Sequence, residues 1–313
     1  MKILVPDTTL IELEPIEDVV VVQYAVAEPI PEEHTDAQML VVWGNPPAQL
    51  AREATRLHRL EFVQSLFAGP DSALAAGFAE NVVIAGGQGL HDATVSEHAL
   101  ALILAAARQL SRTVRAQIGH RWAGELVALQ AFENQRAFTT LQDAHVVIWG
   151  FGGIARSLAP LVRMLGARVT GIARSARTED GVDVVSSDRL GEVLPTADVL
   201  VMILPSTPET AHALGESELH LLSSHAWLVN VGRGSTLDEA ALVRALRDGE
   251  LGGAALDVAE VEPLPVDSDL WDLPNVIITP HIAGGRPRGA SALIAENAIA
   301  HMTGGAIRNL VAR

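Results

Sequence analysis

The sequence predicts an α/β protein built on two doubly wound parallel sheets, and three observations carry that expectation. Short apolar runs alternate with stretches of helical spacing along nearly the whole chain. At 313 residues the chain exceeds what one hydrophobic core usually organises, so two domains are expected. Near its middle, at residues 146–155, the run VVIW stops at Gly150 and passes through FGG into IA, the pattern of a strand entering a glycine-rich turn and then a helix.

Composition removes whole classes of function. Hydrophobic residues make up 49% and charged residues 19%, which suits a folded core and not disorder. No apolar run is long enough to span a bilayer, and the N-terminus runs directly into a strand-like segment, so a cytoplasmic protein without a membrane partner is expected. The net charge of −16 sets aside nucleic acid. With no cysteine there is no disulfide, thiolate metal site or thiol nucleophile. Lys2 is the only lysine and Tyr24 the only tyrosine, which excludes Schiff-base chemistry in the interior, a P-loop lysine and a Tyr-x-x-x-Lys dyad. The histidines are dispersed without a His-x-x-x-His pair, so no metal is expected.

In chain order, residues 2–5, 19–24, 39–43, 62–66 and 81–85 read as strands, and residues 48–60 as an amphipathic helix between two of them. They make a small α/β domain over residues 1–92. Parallel sheets bind ligands at the carboxyl ends of their strands, so the loop 65–71, with its Gly69-Pro70 turn, is a candidate substrate contact. Residues 94–110, introduced by His91 and Asp92, form a long apolar helix. Glu97 and His98 lie about 100° apart on it and read as structural residues, not a cooperating pair. Residues 112–142 are polar and irregular, with Trp122, Phe132 and Phe138 scattered through them, and suit an arm that packs on a partner subunit.

The glycine turn reads as a phosphate cradle. Gly150 and Gly152 permit a tight turn and close backbone approach, while Gly153 and Ile154 open a helix whose unpaired N–H groups and positive dipole end suit a pyrophosphate. Ala155 takes the third small position. The next strand, 168–173, ends without the carboxylate that accepts the ribose hydroxyls of NAD. It is followed by Arg174, Ser175 and Arg177, a pair of guanidiniums beside a hydroxyl that suits a 2′-phosphate, so NADP is expected ahead of NAD.

The alternation then repeats, with strands at 199–204, 227–231, 254–258 and 276–279 and helices beginning near 218 and 237. Pro205 and Val231, at two strand ends, join the expected cofactor contacts. Arg233 sits in a Gly-Arg-Gly turn after one strand, Glu262 lies a few residues past the next, and His281 follows the last. Arginine can grip a carboxylate or polarise a carbonyl, histidine can exchange a proton near neutral pH, and a carboxylate beside the imidazole favours its charged form.

At this point the sequence resembles the D-isomer-specific 2-hydroxyacid dehydrogenases. The likeness is carried by WGFGGIA, ADVLVMILPSTPET, VNVGRGSTLDEAAL, GGAALDVAEVEPLP and LWDLPNVIITPHIAGG, with SEHALALIL ahead of them, and it covers most of residues 94–285. The resemblance implies a Rossmann cofactor domain over residues 93–285, inserted into a smaller flavodoxin-like substrate domain made of residues 1–92 and 286–313. It also implies that Arg233 binds the substrate carboxylate and carbonyl oxygen, that His281 is the acid/base, and that Glu262 orients His281 and raises its pKa. Asp257 is implied to contact the nicotinamide amide. The activity implied is hydride transfer between NADP(H) and a small 2-oxo or 2-hydroxy acid of D configuration, of the glyoxylate or hydroxypyruvate kind, in a homodimer, with reduction failing at high pH.

This chain departs from the family pattern in two places. The substrate loop reads Ala68, Gly69, Pro70, Asp71, so a carboxylate is left to the amides of Ala68 and Gly69, since proline has none. Past His281 stand Gly285, Arg286, Pro287 and Arg288, where a solvent-facing reading of the two arginines is preferred. The rival readings are phosphoglycerate dehydrogenase or another NAD-linked member of the family and, more remotely, a nucleotide-sensing binding protein without catalysis.

Overall fold

The computed structural model describes residues 1–130, 134 and 136–311; Phe132 and residues 312–313 lie outside them. The chain divides into two compact units, Met1–His91 with Arg286–Arg313, and Asp92–Gly285.

The first unit opens with strands β1 (Lys2–Pro6), β2 (Val20–Tyr24) and β3 (Met39–Val42), helix α1 (Pro47–Arg56), strand β4 (Phe62–Ser65), the short helix α2 (Asp71–Ala75) and strand β5 (Val83–Ala85). All pairings are parallel and the order is β2-β1-β3-β4-β5, the doubly wound order of flavodoxin-like sheets. The pleat divides the strands between two cores: Leu4, Leu40 and Val63 pack with Leu50 and Leu57 on one face, Ile3, Met39, Val41 and Phe62 on the other.

In the second unit, α3 (Asp92–Ala107) and α4 (Leu110–Ile118) precede strand β6 (His145–Trp149). There follow α5 (Gly153–Met164), β7 (Arg168–Ala173), β8 (Arg177–Glu179), β9 (Val182–Ser186), α6 (Leu190–Val193), β10 (Val199–Met202), α7 (Glu216–Leu219), β11 (Trp227–Asn230), α8 (Glu239–Asp248), β12 (Gly253–Leu256) and β13 (Val276–Ile278). The eight strands run β13-β12-β11-β10-β6-β7-β9-β8, parallel except for β8. Alternate residues again divide the faces. Val146, Ile148, Val199, Val201 and Val229 pack with Ala99, Ile103 and Leu158 of α3 and α5, whereas Val147, Trp149, Leu200, Met202 and Leu228 pack with Leu242 and Leu246 of α8. The chain then returns to the first unit as α9 (Ala290–Thr303), whose Leu293, Ile294 and Ala298 cover the β3–β4 face; buried Asn297 donates to Gln64 at 2.7 Å.

Two expectations need correction, and one element is new. The long helix ends at Ala107, not residue 110, because Gln109 adopts a left-handed conformation (φ 54°) and its backbone and side-chain N–H groups both donate to Ala106. The stretch read as irregular from residue 112 is helical to Ile118, and Phe138 is fully buried in the core, not displayed on an arm. The β8–β9 hairpin is an addition: its turn, Asp180-Gly181, has positive φ at both residues, which matches the right-handed twist of the flanking strands.

Candidate active site

The strand order of the second unit reverses between β6 and β10, and ligands of such sheets bind outside the carboxyl ends at that switch. Gly150 stands there with φ +101°, and a Cβ on it would lie 2.6 Å from the Ile203 carbonyl oxygen, so no side chain fits. Gly152 caps α5 without a side-chain hydrogen bond, a Cβ added there would meet nothing within 4 Å, and the first turn of α5 carries no acidic residue. Open space beside Gly152 at a helix N-terminus fits a diphosphate. Gly153 is glycine for a different reason: a Cβ would fall 2.1 Å from the Asp92 carboxylate at the start of α3. Ile154 packs half-buried on the core.

At the end of β7, Arg174 and Ser175 are exposed. Arg177 is committed within the protein: its guanidinium donates to the Phe151 carbonyl at 2.9 Å and to Glu179 at 2.8 Å, and Glu179 also pairs with Arg156 at 2.6 Å. Glu179 is held below the usual carboxylate range, first by the Arg177 hydrogen bond. Of the two arginines, Arg174 is the one whose charge this network does not draw in. Pro205 is exposed past β10, while the Val231 side chain is buried, so only its backbone is available to a ligand.

Strands β11, β12 and β13 are neighbours, and their carboxyl ends carry the remaining candidates. The Gly-Arg-Gly turn is set by crowding on both sides of Arg233. A Cβ at Gly232 would lie 2.8 Å from the Leu204 backbone, and one at Gly234 1.9 Å from the Ala259 carbonyl oxygen. The Arg233 carbonyl accepts from Thr236 at 2.6 Å and from buried Asn230 at 3.2 Å. Just beyond, Asp238 caps α8 by accepting from Ala241 N–H at 2.8 Å, an interaction worth about 1 kcal/mol. The turn behind the arginine is therefore fixed.

Glu262 accepts from the Ala259 N–H at 3.0 Å through Oε1, and its Oε2 lies 2.7 Å from His281 Nδ1. The two side chains are 39% and 46% exposed, open enough for a ligand to reach the imidazole. An apolar cavity of about 410 Å³ borders the pair, with Leu264, Trp271, Ile278 and Pro280 in its wall. Glu239, at the start of α8, accepts from the Glu260 N–H; burial, together with the neighbouring charges of Glu260 and Glu262, holds its carboxyl above the ordinary value.

Asp257 is tied into the protein by several hydrogen bonds. Its carboxylate faces inward: the residue is 2% exposed, and the oxygens accept from Thr279 Oγ1 at 2.6 Å, Ile282 N–H at 3.0 Å and Ala283 N–H at 2.9 Å. It braces the segment that bears His281. Sequence reasoning also missed Asp92, Glu239 and Thr279, whose partners lie far along the chain. In the first unit, Ala68 and Gly69 lie half-buried between Phe67, whose carbonyl accepts from Gly87 N–H at 2.8 Å, and α2. Arg286 and Arg288 are exposed.

Residues 100–283 match the family model described as D-isomer specific 2-hydroxyacid dehydrogenase, NAD binding domain. The chain is 39% identical over 225 residues to a glyoxylate reductase of Aeropyrum pernix, covering 70% of this chain and 66% of that one. It is 31% identical over 274 residues to a glyoxylate/hydroxypyruvate reductase A of Escherichia fergusonii, with 84% and 82% covered. Among solved structures it is similar to the NADPH-dependent glyoxylate/hydroxypyruvate reductase of Sinorhizobium meliloti in complex with NADP and sulfate, with a TM-score of 0.80, 25% identity and 99% and 97% coverage. The chain belongs to the D-isomer specific 2-hydroxyacid dehydrogenase family. It is accordingly an NAD(P)-dependent oxidoreductase of 2-hydroxy and 2-oxo acids.

Proposed function

We propose that the protein reduces small 2-oxo acids of the glyoxylate or hydroxypyruvate kind with NADPH in preference to NADH. The observation that carries this reading is the His281–Glu262 pair at 2.7 Å, at the sheet edge that also bears Arg233. Bound cofactor supplies the hydride that reaches the carbonyl carbon. Arg233 holds the substrate carboxylate and stabilises the charge that develops on the carbonyl oxygen. Because His281 Nδ1 is engaged by Glu262, Nε2 is the atom that delivers the proton to that oxygen, and Glu262 supports the charged imidazole before transfer. Gly150, Gly152 and the first turn of α5 hold the diphosphate, and Arg174 with Ser175 takes the 2′-phosphate. The names of the relatives support the substrate class, and the NADPH-dependent Sinorhizobium enzyme supports the cofactor preference.

The test is cofactor oxidation by the purified protein with NADPH and separately NADH, against glyoxylate, hydroxypyruvate, pyruvate and phenylpyruvate. Faster turnover with NADPH and glyoxylate or hydroxypyruvate is expected. Faster turnover with NADH would remove the Arg174 reading and leave the acid/base reading intact; no turnover with any acid, in either direction, would overturn the function.

We propose further that the protein works as a homodimer. Leu110, Val114 and Ile118 recur every four residues along α4 and are 46%, 49% and 74% exposed, with Trp122 at 95% just beyond, an apolar stripe that suits a second copy. Light scattering at micromolar concentration should give twice the chain mass; the mass of a single 33.1 kDa chain would exclude it.

A further inference from the structure

His98 is the one histidine of the α3 motif that the proposed reaction leaves without a task, and its surroundings are specific. His281 itself is held in the left-handed region, with φ +53°, which only a few per cent of non-glycine residues occupy. The segment around it is pinned at several points. The His281 N–H donates to the Asp257 carbonyl at 2.7 Å, and the next two N–H groups donate to the Asp257 carboxylate. Upstream, Thr279 donates its hydroxyl hydrogen to Asp257 Oδ1 at 2.6 Å.

That hydroxyl has only one hydrogen, so toward any other partner it can act only as an acceptor. His98 Nε2 lies 2.9 Å from Thr279 Oγ1 and 3.3 Å from Asp257 Oδ1, and both of these atoms require a donor. His98 Nε2 therefore carries a hydrogen, aimed at the Thr279–Asp257 link. One helical turn earlier on the same face, Thr94 donates to the Gly284 carbonyl at 2.6 Å. Helix α3 thus grips residues 279–284 at both ends, with His281 between the two holds. Glu97, adjacent in sequence, is exposed and takes no part in these bonds.

We propose that His98 is a positioning residue for His281: its Nε2–H fixes Thr279 and Asp257, and these hold the backbone of residues 280–283 in the conformation that presents the His281 imidazole. This rests on the acid/base role proposed above for His281. Because His98 acts on the geometry of proton transfer and not on ground-state binding, its loss belongs in kcat and not in KM.

The test is a mutant cycle on glyoxylate reduction with NADPH, each variant first shown to melt cooperatively. His98→Leu should lower kcat by roughly 10- to 100-fold, with both KM values within about threefold of the parent. His98→Gln, which keeps an N–H donor at a similar reach, should recover most of kcat, and Thr279→Val should reproduce the His98→Leu loss from the other side of the link. In a His281→Ala background, His98→Leu should have no further effect on kcat. Unchanged kcat in His98→Leu, a loss equally large in the His281→Ala background, or no recovery with Gln would each overturn the proposal; if His98→Leu does not fold, the same outcomes for Thr279→Val decide it. A His281→Ala variant as fast as the parent would instead overturn the acid/base reading itself.

Discussion

The eight-stranded sheet of the second unit carries a histidine–carboxylate pair at each edge, and the two pairs are nearly identical in length. At the carboxyl edge, His281 Nδ1 lies 2.7 Å from Glu262; at the amino edge, His225 Nε2 lies 2.8 Å from Asp198. The distance therefore does not tell an active site from a structural one. The surroundings do. The amino-edge side chains are each 17% exposed, and the second Asp198 oxygen accepts from the His145 N–H at 2.7 Å. Burial alone would raise the Asp198 carboxyl, but the hydrogen bonds from His225 and His145 outweigh it and hold the carboxyl below its ordinary value. At the other edge the imidazole is open, one ring nitrogen is turned away from the carboxylate, and Arg233 shares the edge. A closed pair ties strands together, and an open pair at the carboxyl ends of parallel strands has room for a substrate.

This contrast is broken or kept by activity measurements on both pairs. His281→Ala and Arg233→Ala should each lower kcat/KM for glyoxylate with NADPH by about a hundredfold or more, the usual cost of losing an acid/base or a charge-stabilising group. His225→Ala should keep kcat/KM within about threefold while lowering the urea midpoint, because what it loses is a partly buried hydrogen bond to a charged group. Comparable losses of activity in His225→Ala and His281→Ala would mean that the two edges are not functionally distinct.

The parts of this arrangement that sequence made legible are those in which backbone geometry restricts the residue. Gly150 is required by its positive φ and by the Ile203 carbonyl beside it, so the cradle stands in the sequence as a local pattern. Arg233 and His281 are legible because each lies within three residues of a strand end, where a parallel sheet displays its ligand groups. Their supports are not. Thr279 is 181 residues from His98, and neither residue signals the other. The bracing role of Asp257 is not legible either, because the three donors aimed at its carboxylate come from residues more than twenty positions away. The break at Gln109 has no glycine or proline to announce it, whereas Asp180-Gly181 does carry a hairpin signal, masked by the charged strand Arg177–Glu179 beside it.

A smaller effect sharpens the comparison from the amino edge alone. His145 begins β6, is 3% exposed, and has both ring nitrogens engaged: Nε2 lies 2.8 Å from Thr170 Oγ1 and Nδ1 2.9 Å from the Thr196 carbonyl oxygen. Burial, assisted by the positive charge of Arg168, pushes this imidazole below its ordinary value of 6.5. The folded protein therefore binds this proton less readily than the unfolded chain, so the contribution to stability is fully present above pH 6.5 and is lost as the pH falls from there toward the folded-state value. Asp198 is also depressed, but its loss begins only near its own ordinary value of 3.8, well below that window. Glu239, held above its ordinary value, works in the opposite sense as the pH falls toward 4.5, so the difference between variants is what isolates His145: in urea unfolding between pH 7.5 and 5, the parent should lose stability relative to His145→Gln as the pH falls. The same variant should leave the pH dependence of glyoxylate reduction unchanged, because that belongs to the opposite edge. An unaltered stability slope in His145→Gln would place the titrating group elsewhere, and a shifted activity profile would show that the two edges are coupled through the strands between them.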